Sequence, residues 1–172
     1  MAEQITNRVA SSLLETIDLE DFYPQGRRVV FDVKKWLYKG FALKEKEFRR
    51  EVKNHNWEQY KDDYIAITCS TDAIIPSWAY LLLTTKLVPY AKTVVVGNLE
   101  LLETVVFNQI IETANFDKFK DKPVIIKGCS TKPIPCTAYS LLIQKIQSLA
   151  KSIMFGEACS TVPLFKASKN RQ

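Results

Sequence analysis

One histidine, His55, and five glycines are all that this chain of 172 residues carries of the two residue types most used in metal hydrolases and phosphate-cradling loops. A His-rich metal site is thereby excluded, and a Cys–His pair can occur once at most. Neither Gly-x-Gly-x-x-Gly nor a Walker loop is present, so no nucleotide cofactor is expected. The four cysteines include no Cys-x-x-Cys pair, which removes the local two-thiolate bite of zinc fingers and ribbons. No apolar run approaches the length of a membrane span, and Met1-Ala2-Glu3-Gln4 lacks a basic segment leading into an apolar one. A soluble, cytoplasmic protein with no membrane partner is expected. In that reducing compartment the cysteines read as core residues, metal ligands or reactive thiols rather than disulfide partners.

The chain is 47% hydrophobic and 11% aromatic, enough for one good core, and its length favours a single domain. Its net charge of +5 comes from 24 basic residues that are spread along the chain. That pattern reads as a solvated surface, so nucleic acid is not expected as a partner.

Three of the four cysteines open the same tripeptide: Cys69-Ser70-Thr71, Cys129-Ser130-Thr131 and Cys159-Ser160-Thr161. Around the first two the likeness extends much further. Pro76-x-x-Ala79-Tyr80 matches Pro135-x-x-Ala138-Tyr139, and Ala91-Lys92-Thr93 with Gly97 matches Ala150-Lys151-Ser152 with Gly156. When the cysteines are superposed, the copies differ by one residue in the loop that follows. Each copy reads as a βαβ unit. A short apolar run (Ile65–Ile67 or Val124–Ile126) is followed by the tripeptide loop, then by a helix started near proline, then by a second strand stopped at glycine.

The fold class expected is therefore α/β: a parallel sheet with helices on its faces, built from two tandem βαβ repeats, with an N-terminal β-hairpin and helix packed on it. Residues 1–62 form that cover. Its hairpin pairs a strand through Val29, Phe31 and Val33 with one through Leu13, Ile17 and Leu19, and its helix runs over 44–54 with Phe48 and Val52 on one face. Repeat one occupies 63–97, and a connecting helix capped by Asn98 occupies 98–122. Repeat two with the third tripeptide covers 123–163, and a tail covers 164–172.

In one parallel sheet all three cysteines would lie at the carboxyl edge, where ligands gather in such folds. Cys69, Cys129 and Cys159 are accordingly candidate ligands for zinc or an iron–sulfur cluster, with a fourth position left for another group. A small-anion module is the alternative. There Ser70, Thr71, Ser130, Thr131, Ser160 and Thr161 would offer hydroxyls and loop N–H groups at helix N-termini. A third reading is cysteine-dependent sulfur transfer, with a thiolate activated just before a helix. Against all three stands plain duplication, with cysteine as a small buried residue at a strand end. Asp72, Lys132 and Glu157 flank the tripeptides as further oxygen or proton-transfer groups. Cys136 reads as core at a helix start, and His55 as a surface or helix-end residue.

The chain also resembles a known family. The segments that carry the likeness are Asp18-Leu19-Glu20-Asp21-Phe22-Tyr23-Pro24, Lys34-Lys35-Trp36-Leu37, Lys53-Asn54-His55, Lys127-Gly128-Cys129-Ser130 and Gly156-Glu157-Ala158-Cys159-Ser160-Thr161. Over nearly its whole length it is similar to the bacterial domain-of-unknown-function family 2480. The resemblance implies an association with iron–sulfur cluster assembly, and so iron–sulfur assembly proteins as partners. It carries over no catalytic residue and leaves the enzyme question open.

Overall fold

In a computed structural model of the chain, residues 14–128, 130–157 and 160–168 are described. The protein is a mixed α/β fold with parallel sheets flanked by helices, as expected. Its strands are β1 (Glu15–Ile17), β2 (Arg28–Asp32), β3 (Tyr64–Thr68), β4 (Thr93–Val96), β5 (Pro123–Ile126), β6 (Ser152–Glu157) and β7 (Ser160–Lys166). Its helices are α1 (Glu45–Asn54), α2 (Ser77–Leu87), α3 (Leu99–Thr113) and α4 (Cys136–Ile146).

The strands form two sheets rather than one. One has the order β2-β3-β4 and is all parallel; the other has the order β1-β5-β6-β7, with only β7 antiparallel. Two compact units follow the same division. A nested unit runs from Pro24 to Val106. A flanking unit combines Met1–Tyr23 with Phe107–Gln172, so the boundary falls within α3.

The expected N-terminal hairpin does not form. β1 pairs in parallel with β5, and β2 in parallel with β3. The sequence between them explains why the chain does not double straight back. The Asp18 carboxylate accepts the Glu20 N–H at 2.9 Å and winds Leu19–Phe22 into a 3-10 turn, and Pro24 then removes a ladder donor. Leu13, placed in that hairpin from the sequence, lies outside the described residues. The 164–172 segment, read as a tail, begins as strand: β7 runs to Lys166.

The duplication is larger than the sequence suggests. Phe48, Val52, Trp57, Ile65, Ile67, Ala79, Leu83 and Leu87 are buried in the nested unit's core. At one constant spacing along the chain, Phe107, Ile111, Phe116, Val124, Ile126, Ala138, Leu142 and Ile146 are buried in that of the flanking unit. Backbone details repeat with them. Asp62 and Asp121 both take positive φ, 62° and 58°, a conformation Asp tolerates better than most residues. Their N–H groups donate to Tyr90 O at 3.0 Å and Leu149 O at 2.9 Å.

The first strands repeat as well. Ile17 pairs with Ile126 and Phe31 with Ile67, and each is followed by an Asp that caps a 3-10 turn with a buried aliphatic residue, Leu19 or Val33. Each unit is thus strand, capped turn, helix, strand, loop, helix, strand, and the nested unit interrupts the flanking one after its first strand and turn.

The remaining expected elements form. Helix α1 buries Phe48 and Val52. Asn98 Oδ1 accepts the Leu101 N–H at 2.9 Å and so caps α3. Glu103 of α3 is buried and bridges to Arg28 Nε at 2.7 Å, with side-chain exposures of 6% and 14%. Arg28 Nη1 also donates to the carbonyls of Pro24 and Gly26, both at 2.8 Å. Removing one partner of such a pair strands the other in low dielectric. Glu103→Ala is expected to cost about 3–5 kcal/mol in urea unfolding, and the double change Arg28→Met with Glu103→Leu less than that single change.

Candidate functional site

Parallel strands leave their carboxyl-end loops without ladder partners, and in both units a carboxylate takes up those loop groups. In the nested unit Asp32, the last residue of β2, accepts the Ser70 hydroxyl at 2.6 Å and the N–H groups of Ser70 and Lys34 at 3.1 and 3.0 Å. Burial pushes the Asp32 carboxyl up, but these donors outweigh it and hold the group below its usual range. The Thr71 hydroxyl donates to Gly40 O at 3.2 Å. Cys69 is half-buried against the nested unit's core. Burial, then the nearby Cys69 and Asp32, pushes the Tyr80 hydroxyl up.

In the flanking unit the clasp is Glu20. Its carboxylate accepts the Thr131 N–H in the shortest contact, the Ser130 hydroxyl at 2.9 Å, the Lys132 N–H at 3.2 Å and the Thr131 hydroxyl at 3.3 Å. Asp18, the counterpart of Asp32, instead holds Lys127 at 2.7 Å, and chiefly for that reason the Lys127 ammonium is pushed up.

The change of clasp has a cause in register. Tyr64 pairs with Thr93 and Pro123 with Ser152, so strand positions correspond at the same spacing as the cores. On that spacing Cys69 corresponds to Gly128, and the second tripeptide comes one residue later along its loop. One extra residue before Cys129 thus offsets the one fewer between it and Pro135, so strand and helix keep the same spacing in both copies. Gly128 fits the extra step because a Cβ there would meet the Phe155 ring at 2.9 Å.

The sequence candidates fall in different units. Cys69, Ser70 and Thr71 follow β3, the central strand of the nested unit's own sheet. Ser130 and Thr131 follow β5, while Ser160 and Thr161 open β7, paired with Glu157 and Gly156. Cys129 and Cys159 lie outside the described residues. Cys136, expected in the core, is exposed at the first position of α4, where the helix turns its buried side through Ala138, Leu142 and Ile146. His55 is the C-cap of α1, a helix-end residue as expected. Among the described residues, no group of three or more His, Cys, Asp and Glu is gathered closely enough to hold a metal ion, and no helix is long and apolar enough to cross a membrane.

One acidic group stands out. Glu157, the last residue of β6, has its Oε1 buried and without a hydrogen bond. Orphaned buried carboxylate oxygens are costly and ask for a partner. The clasps Asp18, Glu20 and Asp32 were missed by the sequence reading. Their signal is Asp18-Leu19-x-x-Phe22 recurring as Asp32-Val33-x-x-Trp36 after a strand.

A family model described as "Protein of unknown function (DUF2480)" matches residues 3–167. No curated protein and no solved structure matches the chain.

Glu20 offers a pH test. Loop hydrogen bonds, first the Thr131 N–H and then the Ser130 hydroxyl, lower its pKa from the usual 4.5 to about 2. A carboxyl depressed by folding adds stability that is fully present above its unfolded value and lost as pH falls through its folded value. Wild type is therefore expected to exceed Glu20→Gln in urea midpoint at pH 6, and the gap to close between about pH 4.5 and 2.

Proposed function

The chain belongs to the DUF2480 family, and we propose that its flanking unit binds a thiophilic metal ion, zinc or the iron of an iron–sulfur centre, through Cys129, Cys159 and Glu157. The observation that carries this reading is the Glu157 Oε1, buried and without a hydrogen bond, in the field of the Lys127 ammonium. Ile126 and Phe155 are partners on neighbouring strands, and Cys129 follows the first by three residues while Cys159 follows the second by four. A pair of thiolates and a carboxylate is a donor set that zinc accepts, with one position left for water or substrate. A four-thiolate cluster would need ligands beyond these. When bound, the metal would supply a Lewis acid at the open end of the sheet.

The small-anion alternative is weakened by the clasps. Ser70, Ser130 and Thr131 direct their hydroxyls onto the chain's own carboxylates, so an external anion would have to displace Asp32 or Glu20. Cys69 is not part of the proposed donor set. Iron–sulfur assembly proteins, implied by the family resemblance, are proposed as partners on that ground alone.

Elemental analysis of the full chain purified anaerobically, followed by chelator competition, tests the site. About one metal per chain is expected, and Cys129→Ser, Cys159→Ser and Glu157→Gln should each weaken retention by at least about tenfold. Cys69→Ser and Cys136→Ser should leave it unchanged. Protein that stays metal-free after reconstitution, or retention indifferent to both Cys129→Ser and Cys159→Ser, overturns the proposal.

A further inference from the structure

The duplication supplies an internal control for a second site, independent of the metal. Where two copies of one skeleton share their cores, positions that change chemical character in only one copy mark what that copy does besides fold. In the nested unit such positions cluster around one open cleft of about 90 Å³, lined by Val30, Phe31, Asp32, Lys35, Trp36, His55 and Tyr60. The flanking unit has Ile17, Phe22, Ala114 and Phe119 where the nested one has Phe31, Trp36, His55 and Tyr60. Hydrocarbon suffices to pack the skeleton there, so the imidazole, indole and phenol are not packing requirements.

Their geometry is that of a corner. The rings of Phe31 and Trp36 meet at 82° with centroids 5.0 Å apart, those of Phe31 and His55 at 85° and 5.8 Å, and those of Trp36 and His55 at 71° and 5.2 Å. His55 Nε2 lies 3.0 Å from the Tyr60 hydroxyl and 3.2 Å from the Gln59 amide nitrogen, which can only donate. Both contacts suit a neutral imidazole that accepts at Nε2.

The local field favours positive charge. Asp32 brings a carboxylate, and the cleft lies at the C-terminal end of α1, whose cap is His55, where the helix dipole is negative. Aromatic rings add the negative faces of their quadrupoles. The one cation in the lining, Lys35, is exposed, and its long chain lets the ammonium remain in water.

We propose that this aromatic corner with Asp32 is a binding site for a small alkylated ammonium cation. The cation would sit against the rings with Asp32 as its counter-charge, and it would be a free small molecule, since the cleft is a pocket rather than a groove.

Choline is the probe, added to the full-length protein labelled with ¹⁵N. Saturable shifts of the Trp36 and Trp57 indole N–H signals are expected, since Trp36 lines the cleft and Trp57 packs on Phe31 and His55, with the Trp78 indole, outside the lining, unmoved. In wild-type protein 3,3-dimethylbutanol, the neutral isostere of choline, should bind at least about tenfold more weakly, the cation–π and ionic share of the interaction. Asp32→Asn, checked for its fold by circular dichroism, should weaken choline by at least about fivefold. Absence of saturable shifts in the wild type, or equal binding of choline and its isostere, overturns the proposal. The second comparison needs no variant, so an unfolded Asp32→Asn leaves the test standing.

Discussion

The carboxylate that closes each strand-end loop is the interaction from which the rest of the architecture follows. A three-stranded parallel sheet built from strands of only four or five residues has as much backbone in its loops as in its ladder. Its carboxyl edge would otherwise present a row of unpaired N–H groups. Asp32 satisfies two such groups and a hydroxyl at once. In doing so it ties the edge strand, the turn after it and the loop of the central strand into one body. Glu20 and Asp18 divide the same task in the flanking unit, because the tripeptide there comes one residue later along its loop and a side chain one methylene longer, from the turn after β1, meets it.

That division shows how a duplicated skeleton diverges. The apolar positions hold their character in both copies, since each removes surface from water at the same place in the same packing. The edges are free to change. One copy turns polar and aromatic around His55 and Asp32. The other replaces the helix start after Gly97 with a hairpin after Gly156, and with it gains Glu157 and a third tripeptide. Both glycines keep positive φ, 155° and 126°, and at Gly156 a Cβ would lie 2.4 Å from Ser160 O, which reserves the position for glycine.

Much of this was legible in the chain. The βαβ units, the Asn98 cap and the buried face of α1 follow from periodicity and capping chemistry, which are local. The parallel pairing of β2 was not legible, because Val29, Phe31 and Val33 alternate equally well for a parallel edge strand as for a hairpin arm; pairing partner and direction are non-local choices. Superposing the cysteines also hid the true correspondence. Identical tripeptides dominate an alignment by eye, whereas the packing respects strand register, and Cys69 stands opposite Gly128 rather than Cys129. The buried role of Glu103 is non-local in the same way, since its partner Arg28 lies 75 residues earlier in the chain.

By itself, then, the sequence determined the α/β class and the repeat, because these depend on neighbours along the chain. The division into two sheets, the nesting of one unit inside the other and the choice of carboxylate for each loop were decided only by tertiary structure. The physical reason is that β1 and β5 are joined by pairing across more than a hundred residues, and nothing in the three residues of β1 names its partner. Once that strand is placed, Asp18 and Glu20 come with it, and the Ser130 and Thr131 hydroxyls meet a carboxylate of the chain itself.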